Sequence, residues 1–190
     1  MGLFDAMLGR SKQRGPNLDD LFALPGAAVT LQLQAGLGPS GHAGVCWKPP
    51  SGSGTTETLS QIEGLLGLDD PSKSGLRSVT DDLGFTWLVI EAPGFDDQVT
   101  KAHEITSTIS DQGFGTQILC CVFGLATLDE HTPAGYLVYL SKQGSFYPFI
   151  PSGPESRNNE EELRLRSLLA PDLPIEPDLS KWMAIWGLPL

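Results

Sequence analysis

Gly113–Phe149, GFGTQILCCVFGLATLDEHTPAGYLVYLSKQGSFYPF, is the stretch from which the fold class is read. Ile118–Leu125 is apolar on both side-chain parities, a pattern that a strand shows when both of its faces are covered or when it lies centrally in a sheet. Tyr136–Leu140 is equally rich in β-formers, and the break Ser141-Lys142-Gln143-Gly144 turns the chain back into Ser145–Phe149. The centre of a sheet is therefore expected here. No acid, base or metal ligand stands in this stretch at a spacing that chemistry would recognise.

Upstream, two further passages are expected to feed the same sheet. Leu76–Thr80 and Phe85–Glu91 flank Asp81-Asp82-Leu83-Gly84, a hairpin turn. A helix follows from Phe95 to Gln112, with Asp96 and Asp97 in its first turn, Val99, Ala102, Ile105 and Ile109 as the buried stripe, and Gly113 as its stop. Earlier still, Asn17 is the expected N-cap of a two-turn helix that ends at Pro25-Gly26. Ala27–Gln34 alternates, with Val29, Leu31 and Leu33 on one side, and predicts a half-buried strand. Its expected partner is Ala43–Lys48, reached through a Gly/Pro/Ser loop over Gly36–Gly41. Thr55 or Thr56 then caps a helix carrying Leu59, Ile62, Leu65 and Leu66 and closed near Gly67.

Downstream, Asn158–Ala170 predicts a helix with Leu163, Leu168 and Leu169 on its apolar side and with i,i+4 pairs Glu160–Arg164 and Glu162–Arg166. The expected fold is thus α+β: a single domain, with a mainly antiparallel sheet built from successive strand-strand-helix units and helices packed on it. The units share no residue-level identity, so the sequence does not decide between an old duplication and a favoured topology. Residues 1–16 read as a tip, 17–170 as the globular domain, and 171–190 as a Pro-rich segment and Trp-containing tail that packs on the domain. In that tail Ser180 is the expected cap of a last helix bearing Trp182, Met183, Ile185 and Trp186.

The formal charge of -11 and a pI of about 4.5 exclude a nucleic-acid binder, which needs clustered Lys and Arg. Cys46, Cys120 and Cys121 are an odd set. Adjacent strand residues point to opposite faces, so Cys120 and Cys121 should not share a disulfide, and all three read as small buried hydrophobes of a reducing compartment. The first residues are apolar before they are basic, the reverse of a secretory signal, and no apolar run is long enough to span a bilayer. A cytoplasmic protein is expected, and its first residues read either as docked on the domain or frayed, or as a peripheral contact at the inner face of the plasma membrane. That contact would come from the tip, where Leu3, Phe4, Met7 and Leu8 share one face of a short helix followed by Arg10 and Lys12. With Trp182 and Trp186 they are the candidate partner or membrane contacts. The tryptophans are expected either to fold back onto the body or to enter a partner's groove.

His42, His103 and His131 lack metal-like companions, and Ser51-Gly52-Ser53-Gly54 lacks the lysine of a phosphate loop. Asp69-Asp70, Asp81-Asp82 and Asp96-Asp97 read as turn and cap residues. No catalytic, cofactor-binding or metal-binding residue is expected. A hydrolase or redox enzyme using Cys46 or His103 is the reading that such a site would require.

Extended phrases of the chain, MGLFDAMLGRSK, PNLDDLFALPGAAVTLQ, FTWLVIEAPGF, GFGTQILCCVFGL, GYLVYLSKQGSFYPFIP and LPIEPDLSKWMAIWGLPL, resemble the actinobacterial PspA-associated family PspAB over nearly the full length. The resemblance implies a noncatalytic, protein-binding role in a phage-shock or envelope-stress response, in company with a PspA-type membrane-remodelling protein, a small PspAA-like protein and an HtpX-type membrane zinc protease. It supplies no catalytic residues. The alternative is a chaperone-like, client-binding homodimer, by analogy of fold with type III secretion chaperones and YbjN-like proteins.

Overall fold

The computed structural model describes residues 18–49, 55–68 and 75–190, with the side chains of 55–59 left out. Leu3, Phe4, Met7, Leu8, Arg10, Lys12 and the expected cap Asn17 lie outside the described residues, as does the side chain of Leu59.

Six strands form one antiparallel sheet in the order β2-β3-β1-β4-β5-β6. They are β1 (Leu37–Trp47), β2 (Leu76–Thr80), β3 (Thr86–Glu91), β4 (Ile118–Thr127), β5 (Pro133–Leu140) and β6 (Ser145–Phe149). Pro151–Gly153 (β7) and Ser156–Arg157 (β8) make a separate small hairpin. The helices are α1 (Ala23–Thr30), α2 (Thr55–Leu65), α3 (Phe95–Asp111) and α4 (Asn159–Leu169). The sheet is sandwiched. Cys121, Phe123 and Leu125 of β4 face the main core with the helices, whereas Cys120 and Val122 face a second core with Trp87, Tyr147 and Trp182. Both parities of β4 are apolar because both faces of the sheet are covered.

The α+β antiparallel class is as expected, and the locally coded elements fall where the sequence puts them. In the β2–β3 hairpin, Asp81 accepts hydrogen bonds from the backbone of Leu83 and Phe85 and from Trp87 Nε1, and Gly84 takes the positive φ of 73° that the turn requires. Val99, Ala102, Ile105 and Ile109 of α3 are fully buried, and Gly113, at φ 87°, ends the helix region.

Ala27–Gln34 is helix, not strand. The helix begins as a 3-10 turn at Leu18–Phe22, runs through Pro25 and Gly26 as α1, and loosens into a π turn over Leu31–Ala35 before Gly36 stops it. Pro25 sits in the first turn of α1, where its missing N–H costs no helical bond. Leu21, Leu24, Ala27 and Leu31 are buried at helical spacing, whereas Leu33 is 81% exposed.

The loop expected over Gly36–Gly41 is largely strand. β1 begins at Leu37, carries an irregularity between Pro39 and Ala43 against β4, and bends at Gly41, φ 89°. It lies between β3 and β4, so β1 and β4 are the middle of the sheet and β6 is an edge. In α4, Leu165 and Leu169 are buried and Leu163 is exposed. Its ion pairs also differ from expectation: Arg164 pairs with Glu161 at 2.6 Å, and the buried Glu162 turns inward to Arg157. Arg164 takes an i,i+3 partner instead of the i,i+4 one, and burial takes Glu162 away from Arg166, pairs worth only a few tenths of a kcal/mol each.

The helical assignment separates two leucines that a strand would equate. Leu31→Ala should cost about 2–5 kcal/mol and Leu33→Ala about 0.5 kcal/mol or less, measured by urea unfolding; equal losses would restore the strand.

Candidate protein-binding surfaces

Two regions bear on binding, the C-terminal strap and the outer side of the first helix. The strap begins where Leu173 packs in the core and Ile175 bridges Phe146 of the edge strand in parallel. Phe146 N–H donates to the Pro174 carbonyl and Glu176 N–H to the Phe146 carbonyl, each at 2.8 Å. These bonds satisfy edge groups of β6 that would otherwise invite another chain.

Glu176 is buried, accepts from Ser145 Oγ at 2.8 Å and from the Asp178 backbone, and has Lys181 Nζ 3.7 Å away. Asp178, rather than Ser180, caps the single 3-10 turn Leu179–Lys181; Ser180 donates to it through both N–H and Oγ. Those two bonds lower the Asp178 carboxyl below its ordinary range. The helix expected through Trp186 does not form. Residues 182–190 instead cross the sheet in irregular conformation.

Trp182 is 7% exposed, stacks on Tyr147 with centroids 5.8 Å apart, and donates Nε1–H to the Glu176 carbonyl. Tyr147 donates its hydroxyl to the Met183 carbonyl, and burial raises that phenol above its ordinary range. Trp186 meets Phe149 edge-on at 5.0 Å and stays 38% exposed. At the far side Arg77 donates to the Pro189 carbonyl, and Leu190 lies where a Cβ on Gly44 would stand, 2.9 Å from its Cδ2. Gly44 is thus a slot for Leu190. Arg157 binds the strap to α4: its Nε donates to both Glu162 oxygens at 2.9 Å, and its Nη1 donates to the Trp182 carbonyl at 2.8 Å. Glu162 also accepts from Ile150 N–H at 2.9 Å.

On the first helix, the side opposite the buried stripe carries Phe22, Gly26, Val29 and Leu33 at successive spacings of four, three and four. Phe22 is 49% and Val29 60% exposed. His103 meets Phe22 at a tilt, with ring centroids 5.2 Å apart, and lies 3.7 Å from Asp19. The sequence signal was present, but the alternating reading placed Val29 and Leu33 on the same side as Leu31. A shallow groove of about 600 Å³ adjoins the start of this helix, lined by Leu18, Ser110, Thr116, Ile118 and Lys142 among others. Among the described residues, no group of three or more His, Cys, Asp and Glu is placed to hold a metal ion, and no helix is long and apolar enough to cross a membrane.

These features define an α+β domain whose sheet is closed on both sides and whose first helix carries exposed apolar residues on its outer side. The chain belongs to the PspA associated protein B family, PspAB, whose model matches residues 1–190. No curated protein and no solved structure matches it.

Removing Arg157 leaves Glu162 buried without its cation. Arg157→Ala should cost about 3–5 kcal/mol and raise amide exchange over residues 182–190; unchanged exchange there would mean that the strap is held by its aromatic contacts alone.

Proposed function

We propose that the chain is a noncatalytic adaptor of an envelope-stress system that docks a helix of a PspA-type partner on the outer side of the first helical segment, residues 18–35. The observation that carries this reading is the Phe22–Gly26–Val29–Leu33 stripe. Apolar residues at spacings of four and three are what one helix presents to another in a knobs-into-holes seam, and Gly26 permits close approach at its middle. Asp19 and Asp20 occupy the turn that carries Phe22, and the chain is acidic as a whole, so the fitting partner helix is apolar along one side and flanked by Lys or Arg. Membership of a family described as PspA-associated supports the choice of partner.

The noncatalytic reading rests on how the buried acids are used. Glu162 is engaged by Arg157 and Ile150 N–H, and Glu176 by Ser145, Lys181 and the Asp178 backbone. Both tie segments of the fold together. The proposed place of action is the cytoplasmic side of the plasma membrane, where the apolar Leu3, Phe4, Met7 and Leu8 and the basic Arg10 and Lys12 make the lipid contact.

In a titration with the PspA protein of the same genome, Val29→Glu combined with Leu33→Glu should weaken binding tenfold or more, roughly 1.4 kcal/mol, with little change in unfolding midpoint. Unchanged affinity overturns the docking site, and loss of a homodimer in the same variant would assign the stripe to a second copy. Separately, deletion of residues 1–14 should leave the unfolding midpoint in place and reduce co-sedimentation with anionic vesicles. Equal sedimentation removes the membrane role from the tip.

A further inference from the structure

Cys46 of β1 and Cys120 of β4 are direct register partners, and both face the strap side of the sheet. Both are free thiols, 4% and 8% exposed, packed in the same cluster. Residues directly opposite on antiparallel strands stand about 4.5–5.5 Å apart at Cα, inside the ~4.4–6.8 Å that a disulfide spans. The third cysteine is arranged differently. Cys121 projects into the main core, and burial pushes its thiol up to about 12.

The pair lies beneath the strap. Cys46 and Cys120 share a cluster with Trp87, Tyr147 and Trp182, and Leu190 covers Gly44, the neighbour of Cys46 on the same face. The adjacent Cys46 thiol and burial both raise the Cys120 thiol, so the closed form resists ionisation. Lifting the strap would expose the pair to water and to small reagents.

We propose that Cys46 and Cys120 form a cross-strand dithiol that a low-molecular-weight disulfide oxidises to an intramolecular disulfide, with the strap governing access. One protein thiol loses its proton to solvent and attacks a sulfur of the small disulfide. A mixed disulfide forms and one small thiolate leaves and takes up a proton. The second protein thiol, deprotonated in turn, attacks the protein sulfur of the mixed disulfide and expels the second small thiol. Two protein thiols are oxidised, and one small disulfide is reduced to two thiols. The product joins the two middle strands of the sheet, and a thiol pool reverses it by the same exchange.

The test uses the full chain incubated with oxidised glutathione under native conditions, then acid-quenched, alkylated in denaturant and mapped by peptide mass. The expected result is a Cys46–Cys120 linkage with Cys121 alkylated. It should form about tenfold faster in Trp182→Ala, because access follows the population of the opened strap. Trp186→Ala, which thins the strap and leaves the Trp182–Tyr147 stack in place, should also accelerate it. Cys46→Ser and Cys120→Ser should each abolish the linkage. Mixed disulfides without linkage, a link to Cys121, or a wild-type rate equal to that of global unfolding and unmoved by Trp186→Ala would each overturn the proposal.

Discussion

Trp182 stacked on Tyr147, with its indole N–H on the Glu176 carbonyl, is the contact through which the back of the sheet is closed. Val89, Val122 and Val138 lie fully buried on that back, and without a cover they would stand in water. Among the described residues the four α-helices pack on the other face. The cover is therefore a strap from the C-terminal end, tied at one end by edge pairing to β6 and at the other by Arg77 and the Gly44 slot. The aromatic stack adds about 0.5–1.5 kcal/mol beyond the area it buries. Its larger effect is to hold a segment of irregular backbone in one place.

That constraint also explains where surface for a partner remains. One face of the sheet is taken by helices and the other by the strap, and the edge strand β6 is partly paired. The apolar residues left in water include the outward side of the first helix, where Phe22, Val29 and Leu33 stand opposite Leu21, Leu24 and Leu31. The first helix thus carries apolar residues on both its buried and its exposed side. The candidate surface thus follows from a sheet that is closed on both sides.

Glu162 and Glu176 extend the same logic to charge. Each is a buried carboxylate with one cation five residues away and one partner further off in the chain: Arg157 and Ile150 for Glu162, Lys181 and Ser145 for Glu176. Burying an acid without such partners would be costly, so each acid holds its neighbours in register. In sequence these two acids were indistinguishable from exposed ones. Glu162 stands in an acidic helix start, Asn159-Glu160-Glu161-Glu162, and nothing in that run says which of them turns inward.

The sequence by itself determined the elements that local chemistry specifies. The two-faced apolar run of β4, the Asp81–Gly84 hairpin and the Val99–Ile109 stripe were legible because each is coded within a few residues. Their sum was enough for the α+β class and for an antiparallel sheet. The extended phrases identified the family, although they named no site. Only the tertiary structure decided the rest. Ala27–Gln34 satisfies a period of two and a period of 3.6 equally well, and burial of Leu24 and Leu31 against α3 and α4 selects the helix. Gly36–Gly41 has the composition of a loop, yet strong strands on either side recruit much of it into β1, since strand formation depends on neighbours more than on intrinsic preference. Trp182 and Trp186 differ by four residues in sequence and by a stack and an edge contact in space. The local pattern does not record which of them is covered, because the covering residues lie more than thirty positions away.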